Sequence, residues 1–205
     1  MTVKAGLVRC ERSARAGDLV ITAGAAIAWA YLVALSAQLR VYLPFSPVPV
    51  TAQTLVVLLG GALLGARRGA LAAALYLVGG AAGLPFFAGG TLAGPTGGYL
   101  IGFVLGAYVV GLLWEHWTKS DARRFVAAWL VFALGHGVIY VLGLVWLARF
   151  VGWPAALPLG LAPFVIGDLA KVVIAAAIVG WTMRGMDHTL DGSRVVHPTR
   201  EEELS

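Results

Sequence analysis

The sequence is short of almost everything that a water-soluble protein or a catalyst displays. Only 12% of its 205 residues are charged, 60% are hydrophobic and the mean hydropathy is +0.85. A soluble fold of that composition would have almost no polar surface to cover it. Cys10 is the one cysteine, which excludes an intrachain disulfide and a Cys-rich metal site. No G-x-S-x-G serine elbow, H-E-x-x-H zinc pair or G-x-x-x-x-G-K-[ST] phosphate loop occurs. The chain is therefore expected to be no enzyme, to hold no metal or cofactor, and to have no ATPase of its own. An intramembrane aspartyl protease needs two aspartates within its spans, and Asp168 stands alone in the apolar runs. The formal charge of +5 points to no nucleic acid, because the basic residues are scattered between apolar runs rather than gathered on one solvated surface.

What is present is a series of six apolar runs, roughly 19–39, 51–66, 69–83, 97–117, 125–148 and 164–183. The first follows Lys4, Arg9, Arg12 and Arg15, but at about 20 residues it is too long for a signal h-region and reads as a retained membrane helix. The second and third runs are short and joined by Arg67-Arg68-Gly69, which predicts a tight hairpin with its turn at a membrane face. Two arginines would be costly any deeper.

The charges test this count. With the N-terminus in the cytoplasm, the inner segments hold twelve of the basic residues and the outer segments two, Arg40 and Arg149, while Lys171 lies within the sixth run. The expected architecture is an all-α integral membrane protein, a bundle of six transmembrane helices with both termini cytoplasmic, in the cell membrane. Its divisions are a basic N-terminal segment 1–18, a membrane domain 19–184 and a polar tail 185–205.

Two connections assigned to the outside are rich in helix breakers yet apolar. Residues 40–54 carry Pro44, Pro47 and Pro49, which end the first helix and hold the chain extended. Thr51 is a candidate N-cap for the second helix and Gln53 brings an amide into its first turn. The stretch 83–102, "GLPFFAGGTLAGPTGGYLIG", bears no charge. Its composition fits a loop folded over the bundle, with glycine backbone open to a bound molecule and Thr96 capping the fourth helix.

Asp168 and Lys171, three residues apart, share one face of the sixth run. Ionisable residues inside a span normally face the bundle interior or a cavity, so the pair is the leading candidate for a ligand contact; the alternative is mutual neutralisation. His136, midway along the fifth run, is read as a neutral ring hydrogen-bonded to a neighbouring helix. Of the seven tryptophans, which include Trp29, Trp114, Trp117 and Trp153, those near run ends suit an interfacial belt. Ala26, Ala30 and Ala34 make a small-residue stripe that permits close approach of another helix, within the chain or from a partner.

The segments "PFSPVPVTAQTL", "GALLGARRGALAAALYLVGGAAGLPFFAGG", "GPTGGYLIGF", "VIYVLGLVWL" and "GDLAKVVIAA" resemble, in order and spacing, the BioY family of biotin-specific S components of energy-coupling-factor transporters. The likeness covers about residues 19–184. It implies a six-helix bundle that binds biotin from outside under its two loops and delivers it with a transmembrane coupling subunit and two cytoplasmic ATPase subunits. The alanine stripe would then face the coupling subunit. Asp168 would accept from a ureido N–H and Lys171 would donate to the ureido carbonyl, or else bind the biotin carboxylate. Phe86, Phe87 and Tyr99 would offer apolar surface, Gly89, Gly90 and Gly98 backbone, and Gln53 and Thr96 polar contacts. In residues 88–94, "AGGTLAG", Thr91 is the one polar side chain, so backbone amides or Arg40 would replace the polar side chains that relatives often carry there. The alternatives are a carrier or S component for another small vitamin and a structural membrane subunit.

Overall fold

A computed structural model describes residues 2–88, 90–117 and 124–194. The chain is built of helices: α1 (Thr2–Ser36), α2 (Gln53–Leu64), α3 (Ala66–Ala81), α4 (Gly97–Trp117), α5 (Arg124–Val151), α6 (Trp153–Gly160) and α7 (Ala162–Arg194). Two short strands, β1 (Arg40–Val41) and β2 (Val50–Thr51), pair antiparallel, Arg40 opposite Thr51 and Val41 opposite Val50. The proline-rich loop is thus folded back on itself and not simply extended.

Among the described residues four stretches are long and apolar enough to cross a membrane, Asp18–Ser36, Gly97–Trp117, Val126–Val151 and Trp153–Val179. This is a multi-pass membrane protein. The helices α2 and α3 are shorter, 12 and 16 residues, or about 18 and 24 Å at 1.5 Å per residue. Both pack on α4, and α2 also packs on α7.

The ends of the helices depart from the hydropathy reading. Residues 2–17 continue α1, because Ala, Arg, Glu and Leu favour a helix whether or not the segment is apolar. In the same way α7 runs on through Arg194. Arg67 and Arg68 are not the hairpin turn. Gly65, at φ +85°, makes the turn, a conformation that costs a residue with a Cβ. The two arginines lie in the first turn of α3, whose Ala66 N–H donates to the Glu115 carboxylate of α4 at 2.9 Å. The segment 149–163, between the fifth and sixth apolar runs, holds α6, which follows Gly152 at φ +80° and carries a proline in its first turn.

Glycine brings three backbones together at the α2–α3–α4 junction. A Cβ on Gly69 would meet Gly61 and the Gly60 carbonyl, and one on Gly111 would meet Ala66 and the Gly61 carbonyl.

The alanine stripe lies inside the molecule. Ala26, Ala30 and Ala34 are 0%, 3% and 7% exposed, and α1 packs on α3 and α2. Instead of meeting a coupling subunit, they serve the chain's own packing, while Gly24 and Ala28 occupy the exposed side. Small residues allow close approach in either direction, and burial decides which. One tryptophan near a run end also leaves the predicted belt. Trp114 is buried, and the indole of Trp29 donates to the Val56 carbonyl at 3.0 Å; Trp117 and Trp153 are exposed.

Candidate ligand-binding site

Between the α1–α2 loop, the α3–α4 loop and helices α2, α4, α5 and α7 lies a cavity of about 640 Å³, its mouth included. Its walls are mostly apolar, with Val48, Leu100, Phe103, Ile139 and Phe164 among them.

The two loops are tied to each other and to the bundle. The Gln38 amide donates to the Pro85 carbonyl at 3.3 Å, the Tyr42 hydroxyl to the Ala88 carbonyl at 3.1 Å and the Trp146 indole to the Gly94 carbonyl at 2.9 Å. Ser46 of the first loop donates to the Leu159 carbonyl of α6 at 2.7 Å. Buried backbone needs such partners, and here they hold Phe87, Ala88 and Gly90 against the cavity.

The polar wall centres on Asp168, which is 7% exposed. Lys171 Nζ lies 2.6 Å from Asp168 Oδ1 and also donates to the Thr51 carbonyl at 2.6 Å and to Thr54 Oγ1 at 3.0 Å. All three ammonium donors are in use. The Thr54 hydroxyl donates to Asp168 Oδ1 at 3.4 Å, and the Tyr140 hydroxyl donates to Oδ2. A carboxylate beside an ammonium, both desolvated and both hydrogen-bonded, sets opposite charges on the cavity wall without leaving net charge in the span.

Of the residues singled out in the sequence, Asp168, Lys171, Gln53, Tyr99, Phe87, Gly90 and Thr96 all line this cavity. Gln53 donates to the Tyr76 hydroxyl at 2.5 Å, and Tyr99 donates to the Gly160 carbonyl at 2.8 Å. Two do not line it. Phe86 is stacked on Tyr76 with ring centroids 6.0 Å apart and belongs to the core. At Gly98 a Cβ would meet the Trp146 side chain and the Leu142 carbonyl, so this glycine serves the contact of α4 with α5. Gly89 lies outside the described residues.

The expected caps are made differently. The Thr51 hydroxyl accepts from the Gln53 N–H at 3.3 Å from its place in β2, and at α4 it is the Thr96 carbonyl that accepts from Leu100 N–H at 3.2 Å. Arg40 lies 5.7 Å from the Tyr42 ring and does not line the cavity.

Among the polar lining residues, Thr54 and Tyr140 are not singled out by the sequence, and His136 is singled out there in a different role. Thr54 and Tyr140 bond Asp168, and His136 stands with its Nε2 at 3.9 Å from Asp168 Oδ2. Among the described residues the ring of His136 bonds no neighbouring helix; its Nδ1 lies 2.9 Å from the Phe132 carbonyl of its own helix. The spacing of His136 and Tyr140, four apart on an otherwise apolar helix, is the signal that could have marked them.

The sequence profile of the BioY family matches residues 11–187. The chain belongs to the BioY family. It is 45% identical over 142 residues to the biotin transporter BioY of Thermotoga maritima, an alignment covering 66% of this chain and 81% of that protein. With the biotin transporter BioY of Rhizobium etli it shares 39% over 172 residues, covering 78% and 90%. A crystal structure of the S component for biotin from an ECF-type ABC transporter superposes with a TM-score of 0.72 at 23% identity, covering 82% of this chain and 93% of that one. This last likeness is one of fold. The curated relatives are named as transporters rather than enzymes, in line with the missing catalytic motifs.

Proposed function

We propose that this chain is the biotin-binding S component of an uptake transporter, working with a transmembrane coupling subunit and two cytoplasmic ATPase subunits. The observation that carries the reading is the Asp168–Lys171 pair, tied to Thr54 and Tyr140 on the wall of an otherwise apolar cavity, in a chain whose relatives are named biotin transporters. The ureido ring of biotin has two N–H donors flanking one carbonyl. Asp168 Oδ2 has a lone pair beyond the one Tyr140 uses and accepts one N–H. Lys171 turns to the carbonyl by releasing Thr54, the longest of its three bonds at 3.0 Å.

Phe87, Tyr99 and Phe103 offer surface to the thiophane ring and valeryl chain. The carboxylate meets the loop end of the cavity, where Gly90 and Thr96 supply neutral donors. The two loops act as the cover, and no covalent chemistry is involved. In the membrane the chain makes six crossings with both termini cytoplasmic, α2 and α3 pairing across a locally thin layer; the twelve-to-two distribution of basic residues supports this orientation.

Equilibrium binding of labelled biotin to the purified protein in detergent tests the reading. Saturable binding in the nanomolar to micromolar range is expected, and its absence overturns the assignment.

A further inference from the structure

Helix α5 turns two polar side chains, one helical turn apart, toward Asp168 of α7. Tyr140 donates to Oδ2. His136 is different. Its Nδ1 faces the Phe132 carbonyl at 2.9 Å, and a carbonyl only accepts, so Nδ1 carries the hydrogen. The charge of Asp168 is already matched by Lys171 at 2.6 Å, so nothing calls for a second cation, and Nε2 presents a bare lone pair. That nitrogen is the one buried side-chain polar atom without a hydrogen-bond partner among the described residues, and buried polar atoms are rarely left so.

Its nearest polar neighbour cannot satisfy it. Asp168 Oδ2, 3.9 Å away, is another acceptor and is beyond bonding range. The donors of the wall are engaged elsewhere: Lys171 with Thr51, Thr54 and Asp168, Gln53 with Tyr76, and Tyr140 with Asp168. His136 Nε2 and Asp168 Oδ2 therefore form a corner of two acceptors with room for one donor nitrogen, about 2.9 Å from each.

We propose that His136 is a specificity-determining residue whose Nε2 receives one ureido N–H of the ligand, shared with Asp168 Oδ2. The proposal rests on the biotin reading above and extends it. The two ureido N–H bonds point to opposite sides of the ring, so their acceptors would have to stand much farther apart than 3.9 Å. This corner takes only one of them. It thereby tells the two nitrogens apart and rejects a ligand that lacks a hydrogen at that one position.

The test measures dissociation constants in detergent for biotin and its two ureido N-methyl isomers, with the unmodified protein, His136→Ala and His136→Gln. Loss of one hydrogen bond predicts about tenfold weaker biotin binding for His136→Ala, and His136→Gln, whose amide oxygen reaches a similar position, recovers to within about threefold. His136→Ala also makes room for a methyl group, so discrimination against one N-methyl isomer narrows about tenfold while the other is unaffected. Equal weakening for all three ligands, or unchanged biotin binding, overturns the role of His136. Failure of the unmodified protein to bind biotin overturns the functional reading itself, which keeps the two failures distinct.

Discussion

Lys171 Nζ lies 2.6 Å from the backbone carbonyl of Thr51, joining α7 to the strand that closes the α1–α2 loop. The same ammonium holds Asp168, so one cation sets the position of the carboxylate and of the loop above it.

Removing that cation alone leaves a buried carboxylate unpaired. Lys171→Met is expected to cost about 3–5 kcal/mol, read as a large fall in thermal midpoint of the detergent-solubilised protein, together with loss of biotin binding. Adding Asp168→Asn to it should restore much of the stability but none of the binding. Equal midpoints for the single and double variants would show that the pair is not electrostatically coupled.

The burial of the helix α1 stripe makes a contrast between neighbouring alanines. Ala30→Leu forces a larger side chain into packed space and is expected to destabilise the protein by about 1–3 kcal/mol. Ala28→Leu, on the exposed side, should stay within about 0.5 kcal/mol of the parent. Size-exclusion profiles and melting curves separate the two. The same result for both would contradict the orientation of α1.

Gly98 offers a third check. Because an added methyl meets the Leu142 carbonyl as well as Trp146, backbone must shift, and Gly98→Ala should lower stability by about 1–3 kcal/mol. A variant that melts normally but has lost biotin affinity would instead return Gly98 to the ligand site.

The sequence made several of these features legible. Three-residue spacing put Asp168 and Lys171 on one face, and breaker-rich apolar loops marked the two segments that line the cavity. Its hydropathy could not say which side of a helix faces its neighbours. Ala26, Ala30 and Ala34 are as apolar as a partner-facing stripe would be, and only packing shows them buried. For the same reason Thr54 and His136 went unassigned or misassigned: their roles arise from how α2 and α5 are rotated toward α7. Phe86 and Phe87 are adjacent and chemically alike, yet one stacks in the core and the other lines the cavity.

The bond from Ala66 N–H to Glu115 spans 49 residues of sequence. The α2–α3 hairpin precedes α4 in the chain, and the amide at its turn has its partner on that later helix. The contact that closes this turn forms only once α4, which carries Glu115, has been made. The turn between the two short helices is in this way tied to the later helix on which both of them pack.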